Sequence, residues 1–172
     1  MYQEAEKFLM QAIRAVYTGT AEASGPSQPG SRSWQYAEGK FRYMGACFGT
    51  EQFAGQEVLW EKETPLWAVN SVGRILGEDF PADFLREAFL AGYCRFPYRG
   101  AEQYEKGDWV YKCTVQGEPD WFYGYEEILC RGIRVYECAF HGGQLCCQEK
   151  AGGYDETEPV YQHHCRRGCR YP

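Results

Sequence analysis

Phe53-Ala54-Gly55-Gln56-Glu57-Val58-Leu59-Trp60-Glu61, then Lys62-Glu63-Thr64-Pro65, then Leu66-Trp67-Ala68-Val69-Asn70-Ser71-Val72-Gly73-Arg74-Ile75, is the stretch that decides the fold. Two runs of apolar and aromatic residues flank a short polar turn, the pattern of an antiparallel hairpin. Alternation puts Phe53, Gly55, Glu57 and Leu59 on one face of the first strand. The second run is different. From Leu66 to Val72 both faces are largely apolar, and Trp121-Phe122-Tyr123-Gly124-Tyr125 behaves the same way. A sheet with one face in water shows polar alternation. These strands are therefore expected in a strongly curled antiparallel sheet whose inner side encloses its own rings or a pocket.

Moving outward, residues 3–17 carry Phe8, Leu9, Ala12, Ile13 and Val16 at helical spacing, and Gly19 stops the helix. Residues 21–33 read as a loop broken by Gly25-Pro26 and Pro29-Gly30. Strands at 34–37 and 40–47 flank Glu38-Gly39. Pro81 opens a second helix with Phe84, Leu85, Ala88 and Phe89 on one side, ending near Gly92. After a connection through Phe96-Pro97-Tyr98-Arg99-Gly100, strands follow at 108–116, 120–129 and 133–141. The order is helix, four strands, helix, three strands. The expected fold is α+β, with an antiparallel sheet of about seven strands, an N-terminal helix and one inserted helix. Residues 1–143 form one domain in this reading. Residues 144–172 form a flexible tail containing Cys146, Cys147, His163, His164, Cys165 and Cys169, whose adjacent first pair does not give the two clean ligand pairs of a zinc site.

Composition limits the function classes. The chain has 172 residues, enough for one core. Its net charge of −6 opposes a sequence-independent grip on nucleic acid and on anionic membranes. No apolar run has the length of a membrane span, and the acidic, polar start is unlike a secretory signal, so a cytoplasmic location is expected. Of nine cysteines in an expected reducing compartment, Cys47, Cys113, Cys130 and Cys138 lie in apolar, strand-like runs and read as small buried hydrophobes. No phosphate loop, dinucleotide fingerprint or nucleophile elbow occurs, and no cofactor is expected.

The candidate ligand-binding residues are Glu57, Asn70, Trp60, Trp67, Tyr123, Glu126, Arg32 and His141. A carboxylate among apolar neighbours, as at Glu57, must be paired or titrate high, which suits a general base or a binder of an amine or hydroxyl. The competing reading is an edge glutamate reaching solvent or an arginine. Asn70 sits in an apolar strand and must satisfy its amide, on a ligand or on a loop. Glu126 and Glu127 point to opposite faces, so they cannot act together; Glu57 with Glu126 is a pair the sequence permits. His141, at a strand end, suits a structural hydrogen bond or a base. Arg32-Ser33 offers an anion-recognising corner or a plain connector.

Gly30-Ser31-Arg32-Ser33, Phe48-Gly49, Phe53-Ala54-Gly55-Gln56-Glu57, the strand from Trp67 to Gly73, Pro97-Tyr98-Arg99-Gly100, residues 121–127, Tyr136-Glu137-Cys138 and Phe140-His141-Gly142-Gly143 together resemble an uncharacterised bacterial family, catalogued as domain of unknown function 5680. The resemblance runs over residues 8–143. It implies an effector-sensing or accessory role in transcriptional regulation, with a regulatory protein as partner, because some members carry the domain behind a helix-turn-helix. It supplies no catalytic residue. Typical members have Asn-Tyr-Tyr-Gly at Asn70-Ser71-Val72-Gly73 and Asp-Ser-Tyr at Gly45-Ala46-Cys47. Ahead of the first strand there is one helix and a loop, whereas a helix-turn-helix needs two packed helices, so direct DNA reading is not expected.

Three functions stay open. The first is a small-molecule-binding or sensory module, with Glu57, Asn70, Tyr123 and Glu126 orienting the ligand between Trp60 and Trp67. The second is a protein-interaction module without a cavity. The third is a small-molecule enzyme using Glu57 or His141 as general base, and the balance leans away from an enzyme.

Overall fold

The computed structural model describes residues 1–77 and 80–145. The cysteine- and histidine-containing tail from residue 146 lies outside the described residues. The chain runs α1 (Gln3–Thr18), β1 (Glu22–Ser24), β2 (Ser31–Glu38), β3 (Phe41–Gly49), β4 (Gln52–Glu61), β5 (Thr64–Ile75), α2 (Ala82–Gly92), β6 (Gln103–Lys106), β7 (Trp109–Glu118), β8 (Trp121–Cys130) and β9 (Ile133–Gln144). All strands join one antiparallel sheet in the order β1-β2-β3-β4-β5-β9-β8-β7-β6. Chain order is kept within each half, because short hairpins make successive strands neighbours. The halves join where β5 pairs with β9, with Trp67 opposite Gln144 and Ile75 opposite Tyr136.

The α+β class and the two helices match the sequence reading; the strand count does not. The sheet has nine described strands, not about seven. The additions are the two edge strands. β1 lies in a stretch read as a loop and β6 in one read as a connection. Both are short, and Glu22, Gln103, Glu105 and Lys106 give them a polar character without alternation. Polar, abbreviated edges are a common guard against edge-to-edge pairing.

The sheet is also open, and its two faces differ. Tyr43, Leu59, Trp67, Tyr111, Phe122, Ile128, Tyr136 and Phe140 point to one face and are buried there. Both helices lie on that face: α1 packs on β2 and β3, and α2 on β6 and β7. The other face carries Val72, 61 % exposed, and Trp121, 78 % exposed. The expectation that apolar residues on both sides force the sheet to wrap round an interior is thus corrected. One face forms the core, and the other leaves part of its apolar surface in water. No described helix is long and apolar enough to cross a membrane.

α1 buries Ala5, Phe8, Leu9, Ala12 and Ile13 as one stripe. Phe8 stacks on Phe41 with centroids 5.2 Å apart. Gly19, at φ 74°, closes the helix: its N–H reaches the Val16 carbonyl at 3.1 Å, and the Thr20 N–H reaches that of Ala15 at 2.8 Å. α2 inserts Phe84 against Tyr104 and Phe89 against Tyr111. The helices meet through Tyr17 and Phe89, 4.6 Å between centroids.

The segment after α2 fastens these layers. The Tyr98 hydroxyl donates to Glu6 of α1 at 2.7 Å. Arg99 runs under the sheet and forms a two-point bond with Glu126, Nε to Oε2 at 2.9 Å and Nη2 to Oε1 at 2.8 Å. The Tyr111 and Tyr136 hydroxyls each donate to Glu126, both at 2.9 Å. Four hydrogen bonds therefore satisfy a carboxylate that is 0 % exposed. The Phe89 and Phe140 rings hold the guanidinium between them at 5.1 and 4.9 Å. Glu126 pushes the Arg99 pKa up and outweighs the opposing effect of burial, which is itself the largest single influence.

Two outcomes follow. Glu126→Gln leaves Arg99 buried without its counter-charge and should lower the unfolding free energy by about 3–5 kcal/mol, read from urea midpoints. A midpoint within experimental error of the parent would contradict the role given to this pair. Burial raises the thiols of Cys113, to about 11, and Cys138, to about 12, while Cys94 is exposed. Alkylation followed by mass spectrometry should modify Cys94 in the native protein and leave Cys113 and Cys138 untouched until it unfolds.

Candidate functional site

The helices sit over the two ends of their face, and over the middle strands a gap remains. It is a cleft of about 490 Å³ reaching from β2 to β5 and roofed by Tyr17 of α1, Phe80, and Leu85 and Phe89 of α2. This is within the usual size of small-molecule pockets.

The floor is made by small residues on the helix-facing register: Cys47 of β3, Gly55 of β4, and Ser71 of β5. Two flanking glycines let rings lie flat on the sheet. A β-carbon at Gly45 would stand 2.2 Å from the Trp34 ring, and one at Gly73 would stand 2.5 Å from Phe53. Trp34 on β2 and Phe53 on β4 thus become walls instead of standing upright and filling the space. Phe53 also stacks on Tyr136 at 6.2 Å, and Phe80 closes on Tyr136 at 5.5 Å. Gly45, Cys47 and Ser71 all face this side of the sheet.

The polar lining is more telling. Glu57 lies opposite Gly45 on β3 and Val69 on β5. Its Oε2 accepts from the Tyr43 hydroxyl at 2.5 Å. Its Oε1 has no partner among the described residues and is not sealed from solvent. Burial, and next the Glu57 charge, push the Tyr43 hydroxyl well up, so it stays a donor. The Tyr17 hydroxyl is raised by the same two causes and bonds to no described residue. Arg99 also lines the cleft although only 7 % exposed. Its Nε and Nη2 serve Glu126; its Nη1 bonds to no described residue and is not walled off. A free carboxylate oxygen, the Tyr17 and Ser71 hydroxyls and a guanidinium nitrogen therefore line the same aromatic cleft.

A second depression, about 640 Å³, lies on the outer face, lined by Phe48, Val72, Arg74, Tyr125, Glu137 and Ala139 among others. Its polar groups are already occupied with one another. Glu137 accepts from both Arg74 and Tyr125. Those two donors hold its carboxyl below the ordinary range. Such a surface has less to offer a ligand than the cleft under the helices.

The eight residues singled out in the sequence divide between these surroundings. Glu57 and Arg32 line the cleft, Arg32 exposed with Nη2 donating to the Gly49 carbonyl at 3.2 Å. Glu126 is on the same face but wholly enclosed by Arg99 and two tyrosines, so it carries Arg99 and has no accessible oxygen. Trp67 is core, stacked on Phe122 at 5.9 Å. Trp60, Asn70, Tyr123 and His141 belong to the outer face. Trp60 lies under Arg42, 5.8 Å from its guanidinium. Asn70 pairs in register with Gln56 and His141, and His141 with Tyr123. The Gln56 amide donates to Asn70 at 2.9 Å.

A single site holding Glu57, Asn70, Tyr123 and Glu126 is therefore not formed, because strand alternation turns Asn70 and Tyr123 away from the other two. Glu57 and His141 lie on opposite faces and cannot share a reaction. Trp34, Tyr17, Ser71 and Arg99 were missed as site residues. For Arg99 a signal existed: Glu126 in an apolar strand required a cation from somewhere. For the others the sequence held no signal, since only tertiary packing brings them together. Among the described residues no group of three or more His, Cys, Asp or Glu could hold a metal ion.

Comparison with curated proteins and with solved structures returned no match. A family model, described as Domain of unknown function (DUF5680), matches residues 45–145, a span that contains Glu57, Ser71, Arg99 and Glu126 but begins after Tyr17 and Trp34. The chain belongs to this family of domains of unknown function, DUF5680.

Proposed function

We propose that this protein is a small-molecule-binding module whose ligand occupies the cleft between the helices and the middle of the sheet. The observation that carries the reading is the Glu57 oxygen left without a partner among the described residues, in a recess walled by Trp34 and Phe53. Buried polar groups in native folds find partners, and a partly buried one without any is suited to an incoming one. Aromatic walls with a few convergent polar groups are the usual makeup of ligand pockets. A sensory or accessory role in regulation accords with such a module: binding would draw Tyr17 of α1 and Phe89 of α2 onto the same guest and tighten the contact between the helices.

A thermal-shift screen of the full chain against metabolites should give hits that raise the melting temperature. A bound hit should also shield Cys47, on the cleft floor, from alkylation. Gly55→Val fills the floor, where the new β-carbon would meet the Ser71 hydroxyl at 3.0 Å and the Ala46 carbonyl oxygen at 3.5 Å. It should remove the shifts and keep the circular dichroism of the parent. Hits that survive Gly55→Val and leave Cys47 open would place the ligand elsewhere and defeat the proposal.

A second reading rests on the outer face. Trp121 and Tyr123, two residues apart on β8, are both exposed there, an aromatic surface suited to protein contact. If it serves the chain's own copies, sedimentation should show association that grows with concentration and is lost in Trp121→Ser. One species at every concentration would count against self-association through this face.

A further inference from the structure

The charges around the cleft indicate what kind of molecule belongs there. The polar lining includes Glu57, Arg99, Tyr17 and Ser71 and the Trp34 indole nitrogen, with Arg32 and Thr50 at the exposed rim. Arg99 is already neutralised by its two-point bond to Glu126, which lies behind it and out of reach. Among the described residues Glu57 has no cation of its own: its one bond there comes from the neutral Tyr43 hydroxyl. Arg32, whose Nη2 is bonded to the Gly49 carbonyl, makes no ion pair with it. Counting Glu57 and Glu126 against Arg99, the interior carries one uncompensated negative charge. The Trp34 and Phe53 rings line the same space, and aromatic rings attract cations placed over their faces.

Resting on the small-molecule reading above, we infer that the ligand is an organic cation: a protonated amine on a flat aromatic body. Its ammonium bonds to Oε1 of Glu57, and its ring lies between Trp34 and Phe53. Arg99 Nη1 and the Tyr17 hydroxyl remain as places for one neutral acceptor on the ligand, such as a hydroxyl or carbonyl. An anionic head group would meet the Glu57 carboxylate inside the recess, where the one cation among the described lining residues not already paired with a carboxylate, Arg32, stands at the exposed rim. A carboxylate ligand could use Arg99 only by sharing it with Glu126, which places two carboxylates on one guanidinium.

Three probes of nearly the same shape separate the alternatives: phenethylamine, phenethyl alcohol and hydrocinnamate, titrated into the full chain by NMR or calorimetry at neutral pH. The amine should bind more tightly than the alcohol by about ten-fold or more, the worth of a hydrogen bond to a charged group. The acid should bind most weakly. Glu57→Gln keeps an acceptor for Tyr43 and removes the charge, so it should bring the amine level with the alcohol without altering alcohol binding. The comparison among the three probes on the parent protein stands even if that variant folds poorly. Should the acid bind best, or the amine match the alcohol on the parent, the ligand is not a cation, although the cleft is a site. Should none of the three bind at millimolar concentration, both the cation inference and the small-molecule reading fall.

Discussion

The bond between Arg99 and Glu126 is the constraint on which the rest of the structure depends. Glu126 stands in the middle of β8 on the face that forms the core, where an ionised carboxylate is unfavourable without a counter-charge and a full set of donors. Arg99 supplies the charge and two of the donors, and Tyr111 and Tyr136, from the strands on either side of β8, supply the others. The pair need not add stability over a well-packed apolar alternative. It does select one arrangement: the Pro97–Gly100 segment must run beneath the sheet, because only there can the guanidinium reach all its partners.

That routing positions the helices. α2 ends just before the segment, so Phe89 is carried onto Arg99 and Tyr111. Tyr98, next to Arg99, holds α1 through Glu6. The helices consequently sit over opposite ends of the sheet, touching each other through Tyr17 and Phe89 but leaving the centre uncovered. Small residues on three neighbouring strands deepen that space, and Trp34 and Phe53 lie flat because glycines are beneath them. The recess is therefore a product of where one buried ion pair sends the chain. It is not produced by closure of the sheet.

Much of the architecture could be read from residues alone. The 53–75 hairpin, the stripe of α1 and the start of α2 at Pro81 are local patterns, and all three occur where periodicity puts them. β1 and β6 could not be read this way, since three or four polar residues paired on one side carry no period. The face of each candidate was legible too: alternation alone separates Glu57 from Gln56 and Glu126 from Tyr125. Lost was the relation between strands. Asn70 and Glu57 are both polar interruptions of apolar runs, yet they lie on opposite sides of the sheet, and that depends on the register of β4 against β5. The apolar character of Leu66–Val72 on both sides misled most. It suggested an enclosed interior, whereas Val72 and its neighbours on the outer face are partly left to solvent.

The central claim is an open recess with the Glu57 carboxylate at its polar end, and a crystal structure of the full chain grown with phenethylamine tests it most directly. The account predicts electron density for a ring between Trp34 and Phe53, with its nitrogen in hydrogen-bonding distance of Glu57. A Trp34 side chain swung off Gly45 into the recess, leaving no space for a guest, would contradict it.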